Sequence, residues 1–328
     1  MQQKKIIDLS IIIVNYKSWG VLQNCINSIK GKLSSLSYEV IIVDNQSNDD
    51  CFKTFHQNNG WVKLLSNKGN YGFSSGCNFG SKFAQSNFLL FLNPDTEITD
   101  ELAIIRMLQI AKNKDQGIIS CRKITPGNKV ERELTFLNPW LTFGFIRTIY
   151  KKVFFKRIES IYPNSKSIWN PEWVTGSIFL LSRENFELIG GLSEKDYWMY
   201  FEEMDLAQKI RKINKKITLI RNVSIIHHHG GSSRVNPITY SITKSELIAS
   251  RHVYIENHYS KNIENYFLHI AVILTSILSQ ASQVIFTLPF FWSDNFRKRL
   301  LLLAKTVKYY LNAVRYRSWK SRRINLKL

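Results

Sequence analysis

Four short apolar runs punctuate the first hundred residues, and each one stops at a polar cluster. The first, Ser10 to Asn15, carries Ile11-Ile12-Ile13-Val14 and is followed by a periodic segment from Val21 to Ile29. The second, Glu39 to Val43, ends at Asp44-Asn45-Gln46-Ser47-Asn48-Asp49. The third, Val62 to Leu65, opens into the glycine-rich stretch Asn67 to Gly76, and the fourth, Phe88 to Leu92, stops at Asn93-Pro94-Asp95-Thr96. Continuous β-branched and leucine-rich runs of this length suit strands buried on both faces of a parallel sheet. Strands alternating with helices predict an α/β fold with a doubly wound sheet, which binds ligands at the carboxyl ends of its strands. Each of the four polar clusters falls at such an end.

Further along, Arg122 to Trp169 lacks a clean period and reads as an irregular insertion. Trp173 to Leu181 predicts a strand, Arg183 to Ile189 a short helix ended by Gly190-Gly191, Tyr200 to Lys212 a longer helix, and Val223 to His228 another strand. From Asn265 to Ser293 there is no charged residue, a length that can cross a bilayer. His269, Ser276, Gln280, Gln283 and Thr287 would fall on one helical face, however, so a helix lying in the membrane interface or packed on the domain competes with a span.

Composition narrows the partners. The chain of 328 residues is 44% hydrophobic, enough for a large core, and carries a net charge of +20. Such a surplus favours an anionic partner. Roughly half of it lies after Asp294, in Arg297, Lys298, Arg299, Lys305, Lys308, Arg315, Arg317, Lys320, Arg322, Arg323 and Lys327. A basic aromatic tail behind an apolar helix points to an anionic membrane surface. Cys25, Cys51, Cys77 and Cys121 form no C-x-x-C pair, which argues against a zinc site or a secreted disulfide framework and fits a reducing cytoplasm. Met1 to Asp8 shows no apolar signal region, so the catalytic part is expected to stay inside.

Several clusters can carry chemistry. Asp44 and Asn45, at a strand end, can accept hydrogen bonds from a nucleobase or ribose, or can cap a helix. The glycines between Gly69 and Gly80 can let backbone approach a diphosphate, although their spacing matches neither the dinucleotide fingerprint nor a P-loop. Asp95 can hold Mg²⁺ or Mn²⁺ with the help of substrate phosphates, or belong to a plain turn. In Phe201-Glu202-Glu203-Met204-Asp205-Leu206, helical spacing turns Glu203 inward with Leu206, Ala207 and Ile210, and aligns Asp205 with Lys209 in an exposed pair. An inward carboxylate at a helix start suits a general base. In His227-His228-His229, strand alternation lets either His228 or the pair His227 and His229 reach one site.

Taken in order, Ser10 to Tyr16, Val43-Asp44-Asn45, Asn70-Tyr71-Gly72-Phe73, Asn93-Pro94-Asp95, Trp173 to Ser177, Phe201 to Asp205 and His228-His229-Gly230-Gly231 resemble glycosyltransferase family two, over about Ser10 to Arg251. Its rhamnosyltransferase-like branch is the nearest in look. The resemblance implies a GT-A (Rossmann-like), mostly parallel sheet flanked by helices in residues 1–255. A nucleotide-sugar half would occupy about 1–120, an acceptor half about 170–255, and a helical, basic, membrane-associating region 256–328. It implies nucleotide-sugar contacts from Asn15, Tyr16, Asp44, Asn45, Asn70, Gly72, Phe73, Asn78, Asn93 and Asp95. Acceptor contacts would come from Trp173, Thr175, Gly176 and Glu202, catalysis from Glu203, and a divalent metal would sit on Asp95 and His228. Asn93 stands where the first acid of a D-x-D pattern would be, and Glu203 where the family usually has Asp.

The expected activity is inverting transfer of a sugar, first L-rhamnose from dTDP-rhamnose and alternatively a hexose from UDP. The acceptor would be a saccharide or lipid-linked acceptor of surface polysaccharide assembly at the cytoplasmic face of a bacterial inner membrane. Nucleic acid is not expected as a partner. A nucleotidyltransferase and a non-catalytic membrane-binding protein are the competing classes.

Overall fold

The computed structural model describes residues 7–131, 133, 135–154, 166–228, 236–259 and 262–324. The chain divides into two compact units, one of residues 1–70, 75–192 and 203–229, the other of 71–74, 193–202 and 230–328.

The first unit is built on the predicted sheet. Strands β1 (Leu9–Asn15), β2 (Tyr38–Asp44), β3 (Lys63–Ser66) and β4 (Phe88–Leu92) lie parallel. They continue into β5 (Thr96–Glu97), β6 (Gln116–Ile124), β7 (Ile168–Trp169), β8 (Ile178–Ser182) and β9 (Lys216–His227). The order across the described sheet is β3-β2-β1-β4-β8-β6-β9-β5, with β7 beside β9. β8 runs antiparallel to β4, from Phe88 opposite Ser182 to Leu92 opposite Ile178.

Helices cover both faces. Alternate residues of β1, β2 and β4 (Leu9, Ile11, Ile13, Val40, Ile42, Leu90, Leu92) meet Leu22, Ile26 and Ile29 of helix α1 (Trp19–Lys32). Ile104 and Met107 of α4 (Leu102–Ala111) join the same core, while α2 (Cys51–Asn58) contributes Phe55. On the other face Phe91 stacks on Phe179 at 4.8 Å and meets Phe186 of α6 (Arg183–Leu188) at 5.2 Å with tilted rings.

Local structure departs from the sequence reading in four places. The glycine-rich stretch is no loop beyond Tyr71: α3 (Gly72–Ser81) begins there. A Cβ at Gly76 would stand 2.7 Å from Val14 Cγ1, and one at Gly80 2.8 Å from Ile12 Cγ2, so these glycines let α3 lie directly on the sheet. Trp173 to Ser177 precedes the strand instead of forming it, because Trp173 is tied sideways, its Nε1 donating to Phe136 O at 3.0 Å. The irregular stretch contains the end of β6, a 3₁₀ turn Pro139–Thr142 and α5 (Gly144–Val153). Finally, α7 (Glu202–Lys212) starts two residues later than the pattern suggested, since Tyr200 and Phe201 both hold left-handed backbone, φ 70° and 65°.

The second unit is helical: α8 (Pro237–His258), α9 (Ile263–Thr287), a 3₁₀ turn Leu288–Phe290 and α10 (Asp294–Tyr316). A buried polar joint pins the three helices. His252 and His269 meet Nδ1 to Nδ1 at 2.7 Å, and Ser276 Oγ lies 2.8 Å from Tyr310 Oη. Ile263–Phe290 is long and apolar enough to cross a membrane, yet only 11% of its most apolar stretch is buried.

Candidate active site

The strand ends of the first unit form a polar floor. Asn15, at the end of β1, is wholly buried and donates from Nδ2 to Asp44 Oδ1 at 2.9 Å, while its Oδ1 accepts from Ser18 Oγ at 2.7 Å. Asp44 also accepts from Ser47 N at 2.9 Å and Ser47 Oγ at 2.5 Å. The capping alternative fails here, because α2 starts only at Cys51, behind Asp50. Asn45 Oδ1 accepts from Asn67 Nδ2 at 3.1 Å. Tyr16, the residue after Asn15, is 39% exposed, with Lys17 Nζ 5.7 Å from the centre of its ring. Asn78 is committed elsewhere: its amide brackets Leu192, donating to the carbonyl at 2.8 Å and accepting from the N–H at 3.0 Å.

At the end of β4, Asn93 N donates to Ser177 O at 2.9 Å, and Asn93 O accepts from Thr96 Oγ1 at 2.7 Å. That turn delivers Asp95, only 5% exposed. Its Oδ1 has no hydrogen-bond partner among the described residues, and His227 Nε2 faces it at 3.4 Å as an ionic contact. The other nitrogen of His227, Nδ1, lies 2.6 Å from Glu131 Oε1. Burial works against charging this imidazole, but the flanking Asp95 and Glu131 carboxylates outweigh it and raise its pKa to about 9. His228 points away along the strand alternation, its Nε2 3.2 Å from Glu97 Oε2, although its backbone N–H donates to Asp95 O at 2.8 Å. Asp95, Glu97 and His228 do share a cavity of about 340 Å³ with Asn24, Asn27 and Ser28. His229 and the glycines after it lie outside the described residues.

The donor set fits a hard divalent cation only in part. A buried carboxylate oxygen without a hydrogen-bond donor suits one. Among the described residues no three His, Cys, Asp or Glu groups gather into a metal cluster. An ion here would draw its remaining ligands from donor phosphates and water.

At the start of α7, Glu203 shares its helix face with Leu206, Ala207 and Ile210; those three are at most 1% exposed, and Glu203 itself is half-buried. Its Oε2 is closed to solvent and has no hydrogen-bond partner among the described residues. Burial pushes its pKa up from 4.5 to about 7. Gly176 stands opposite, where a Cβ would come within 4.0 Å of Glu203 Cβ and Cδ, so its bareness leaves room in front of the carboxyl. Nearby in sequence, Thr175 Oγ1 lies 3.5 Å from Ser177 Oγ. Asp205 does pair with Lys209, at 3.6 Å, but the pair is not exposed: Asp205 is 3% accessible.

A family model described as glycosyl transferase family 2 matches residues 10–190. The chain belongs to that family. It is therefore a glycosyltransferase, and its sheet is of the GT-A kind. Among its relatives, the low-salt glycan biosynthesis hexosyltransferase Agl10 of Haloferax volcanii is 29% identical over 70% of this chain and 69% of its own. An N-acetylglucosaminyl-diphospho-decaprenol L-rhamnosyltransferase of Mycobacterium tuberculosis is 26% identical over 31% of this chain and 28% of its own length. In three dimensions the chain is similar to the mannosyltransferase PcManGT of Pyrobaculum calidifontis, solved in complex with GDP-Man and Mn²⁺. The TM-score there is 0.54, at 12% identity over 93% of this chain and 88% of that one.

The sequence does not show that His227 faces Asp95, nor that Glu131 holds His227 from the other side. Strand alternation leaves His227 open as one of two choices, while Glu131 sits in a stretch without period and carries no signal.

Proposed function

We propose that this glycosyltransferase inverts the configuration of the sugar it transfers, with Glu203 as the base. The observation that carries this is Glu203 Oε2: closed to solvent, without a hydrogen-bond partner among the described residues, on a carboxyl of near-neutral pKa that faces bare Gly176. Its Oε2 would take the proton of an acceptor hydroxyl as that oxygen bonds to the anomeric carbon. The bond from that carbon to the diphosphate breaks, and its electron pair leaves on the nucleoside diphosphate.

Asn15, Asp44 and Asn45 would hold nucleoside hydroxyls and amides at the strand ends, with Tyr16 against the base and Asn70, Gly72, Phe73 and Asn93 along the diphosphate. Asn78 would act behind them, by fixing Leu192. Trp173, Thr175, Gly176 and Glu202 would border the acceptor. Asp95 and His228 would hold Mg²⁺ or Mn²⁺, which when bound would neutralise the leaving diphosphate. The catalytic domain in this reading is residues 1–255, and 256–328 is the membrane-facing region.

For the donor, dTDP-L-rhamnose is the first choice, supported by the motif resemblance and by the mycobacterial relative. A UDP-hexose is the second; the name of Agl10, a hexosyltransferase, supports the hexose. The acceptor would be a lipid-linked or oligosaccharide intermediate of surface glycan assembly, met at the cytoplasmic face of the membrane by the apolar and basic surfaces of α9 and α10. The test is transfer and hydrolysis with dTDP-, UDP- and GDP-sugars, with and without Mn²⁺ or Mg²⁺, followed by the anomeric configuration of the product. Retention of configuration, or release of pyrophosphate, would overturn the reading.

A further inference from the structure

The turn that leads into Glu203 is strained, and the chain folds back from its far end to hold it. Tyr200 and Phe201 are consecutive non-glycine residues in left-handed backbone, a strained state that persists only where packing enforces it. Part of the enforcement comes from α8. Ser250 Oγ donates to Met199 O at 2.8 Å, and the Phe201 ring packs on Tyr254 at 5.4 Å. Phe73 N donates to Trp198 O at 2.9 Å.

The rest comes from residues beyond α10. Arg317 turns the chain in left-handed backbone, φ 48°. Trp319 then stacks on the imidazoles of His252 and His269, centroids 4.2 and 4.7 Å apart, while its carbonyl accepts from Tyr309 Oη at 2.9 Å. Buried Glu246 of α8 accepts from Ser321 Oγ at 2.9 Å and faces Arg323 Nε at 3.4 Å. So anchored, the tail reaches the turn twice. Lys320 Nζ pairs with Asp196 Oδ1 at 2.6 Å, and the Arg323 guanidinium lies 5.2 Å from the centre of the Trp198 ring.

We infer that Trp319–Arg323 is a strap whose Lys320 and Arg323 are positioning residues for the reaction, holding Asp196–Trp198 so that the strained turn presents α7 and Glu203 to the acceptor. The tail thus does more than supply positive charge. Arg322 makes the comparison possible: it carries the same charge in the same strap but lies over Tyr316, at 4.0 Å, and among the described residues no ion pair or ring contact joins it to the turn.

The inference rests on Glu203 as base, and the test separates the two. Full-length Arg323→Ala, Lys320→Ala, Arg323→Lys and Arg322→Ala proteins are compared in transfer to a soluble acceptor without lipid. Expected are a fall in kcat of roughly tenfold for Arg323→Ala and Lys320→Ala, the scale of a small misplacement of a reacting group, with donor KM unchanged. Arg323→Lys should recover most of the loss, and Arg322→Ala should match wild type. Equal losses in Arg322→Ala and Arg323→Ala, or wild-type kcat in both Arg323→Ala and Lys320→Ala, would overturn the strap. Should Arg323→Ala not fold, Lys320→Ala decides, since it leaves Glu246 with Ser321 and Arg323. A Glu203→Gln protein that kept full activity would instead refute the base and leave the tail comparison standing.

Discussion

Asp95 Oδ1 faces His227, at 3.4 Å, and not His228. Because His227 is held on its other side by Glu131 at 2.6 Å, the buried carboxylate is oriented by a chain of two residues from β9 and the stretch after β6. Partners of this kind set the direction of a ligand and its basicity.

His227→Gln should therefore lower metal-supported transfer by about 10- to 100-fold, and Glu131→Gln should do so less severely. Mn²⁺ affinity, followed by titration in the presence of nucleoside diphosphate, should weaken in parallel. Unchanged metal affinity in His227→Gln would remove Asp95 from the metal site or His227 from its support.

The near-neutral pKa of Glu203 sets a pH profile. As a base it works only when ionised, so kcat/KM should fall tenfold per pH unit below about 7 and level off above it. The stability consequence runs the other way. Glu203 binds its proton more tightly folded than unfolded, so a cost of keeping it charged appears as pH rises from 4.5 to about 7 and is fully present above. Glu203→Gln should thus lose activity yet melt higher at pH 8, by up to about 3 kcal/mol in stability. At pH 4 that advantage should vanish. A flat rate profile across pH 6 to 8 would sink the base assignment.

Much of this centre is legible in the chain, for a physical reason. Buried parallel strands must be continuously apolar, so Asp44, Asn45, Asn93 and Asp95 stand out as the first polar residues after each run. The face that Glu203 shares with Leu206, Ala207 and Ile210 is legible from helical period, whereas Asp205, which the same period turns outward, is 3% accessible. What stays hidden depends on contacts distant in sequence. Nothing local announces that Glu131 will meet His227, 96 residues away, or that Lys320 will reach Asp196. Tyr200 and Phe201 read as helix because no glycine or proline marks their left-handed turn, which α8 imposes by packing.

Gly72 offers a sharper test of the same turn. It has φ +88°, and a Cβ there would lie 2.0 Å from Trp198 O, a backbone atom that cannot rotate aside. Gly72→Ala should cost about 1–3 kcal/mol from its backbone conformation alone, with more from the clash, and should break the Phe73 to Trp198 hydrogen bond. A melting temperature and kcat within error of wild type would show that the turn has slack which the structure does not display.

If the chain meets a membrane as proposed, the mode of contact follows from how α9 is paired. Its polar face is spent inside the protein: His269 on His252, Ser276 on Tyr310, and Gln283 accepting from Arg299. Those last two pairs, with Trp319 stacked on His269, make α10 run antiparallel along α9. Were α9 to cross the bilayer, Arg297, Lys305, Lys308 and Arg315 of α10 would be drawn in beside it, at about 2.5–3.5 kcal/mol for each one near the centre. Lying flat avoids this. The outer stripe of α9, Ile263, Tyr266, Ile270, Leu274, Leu278 and Ile285, is 48 to 73% exposed and would enter the interface, with Phe290, Phe291 and Trp292 at the corner. The basic side chains of α10 would meet anionic headgroups. Helix α5 carries another such stripe, Phe145, Ile149 and Val153, each at least 59% exposed. Binding to anionic vesicles should weaken with salt, and Leu274→Ser with Leu278→Ser should reduce it by more than about tenfold, since each leucine withdrawn from lipid loses about 1.5–3 kcal/mol. Single cysteines at Asn262 and Ser293, in a chain whose exposed Cys51 is replaced by Ser, should both be labelled from the cytoplasmic side. Labelling from opposite sides would mean that α9 spans, and that α10 has let it go.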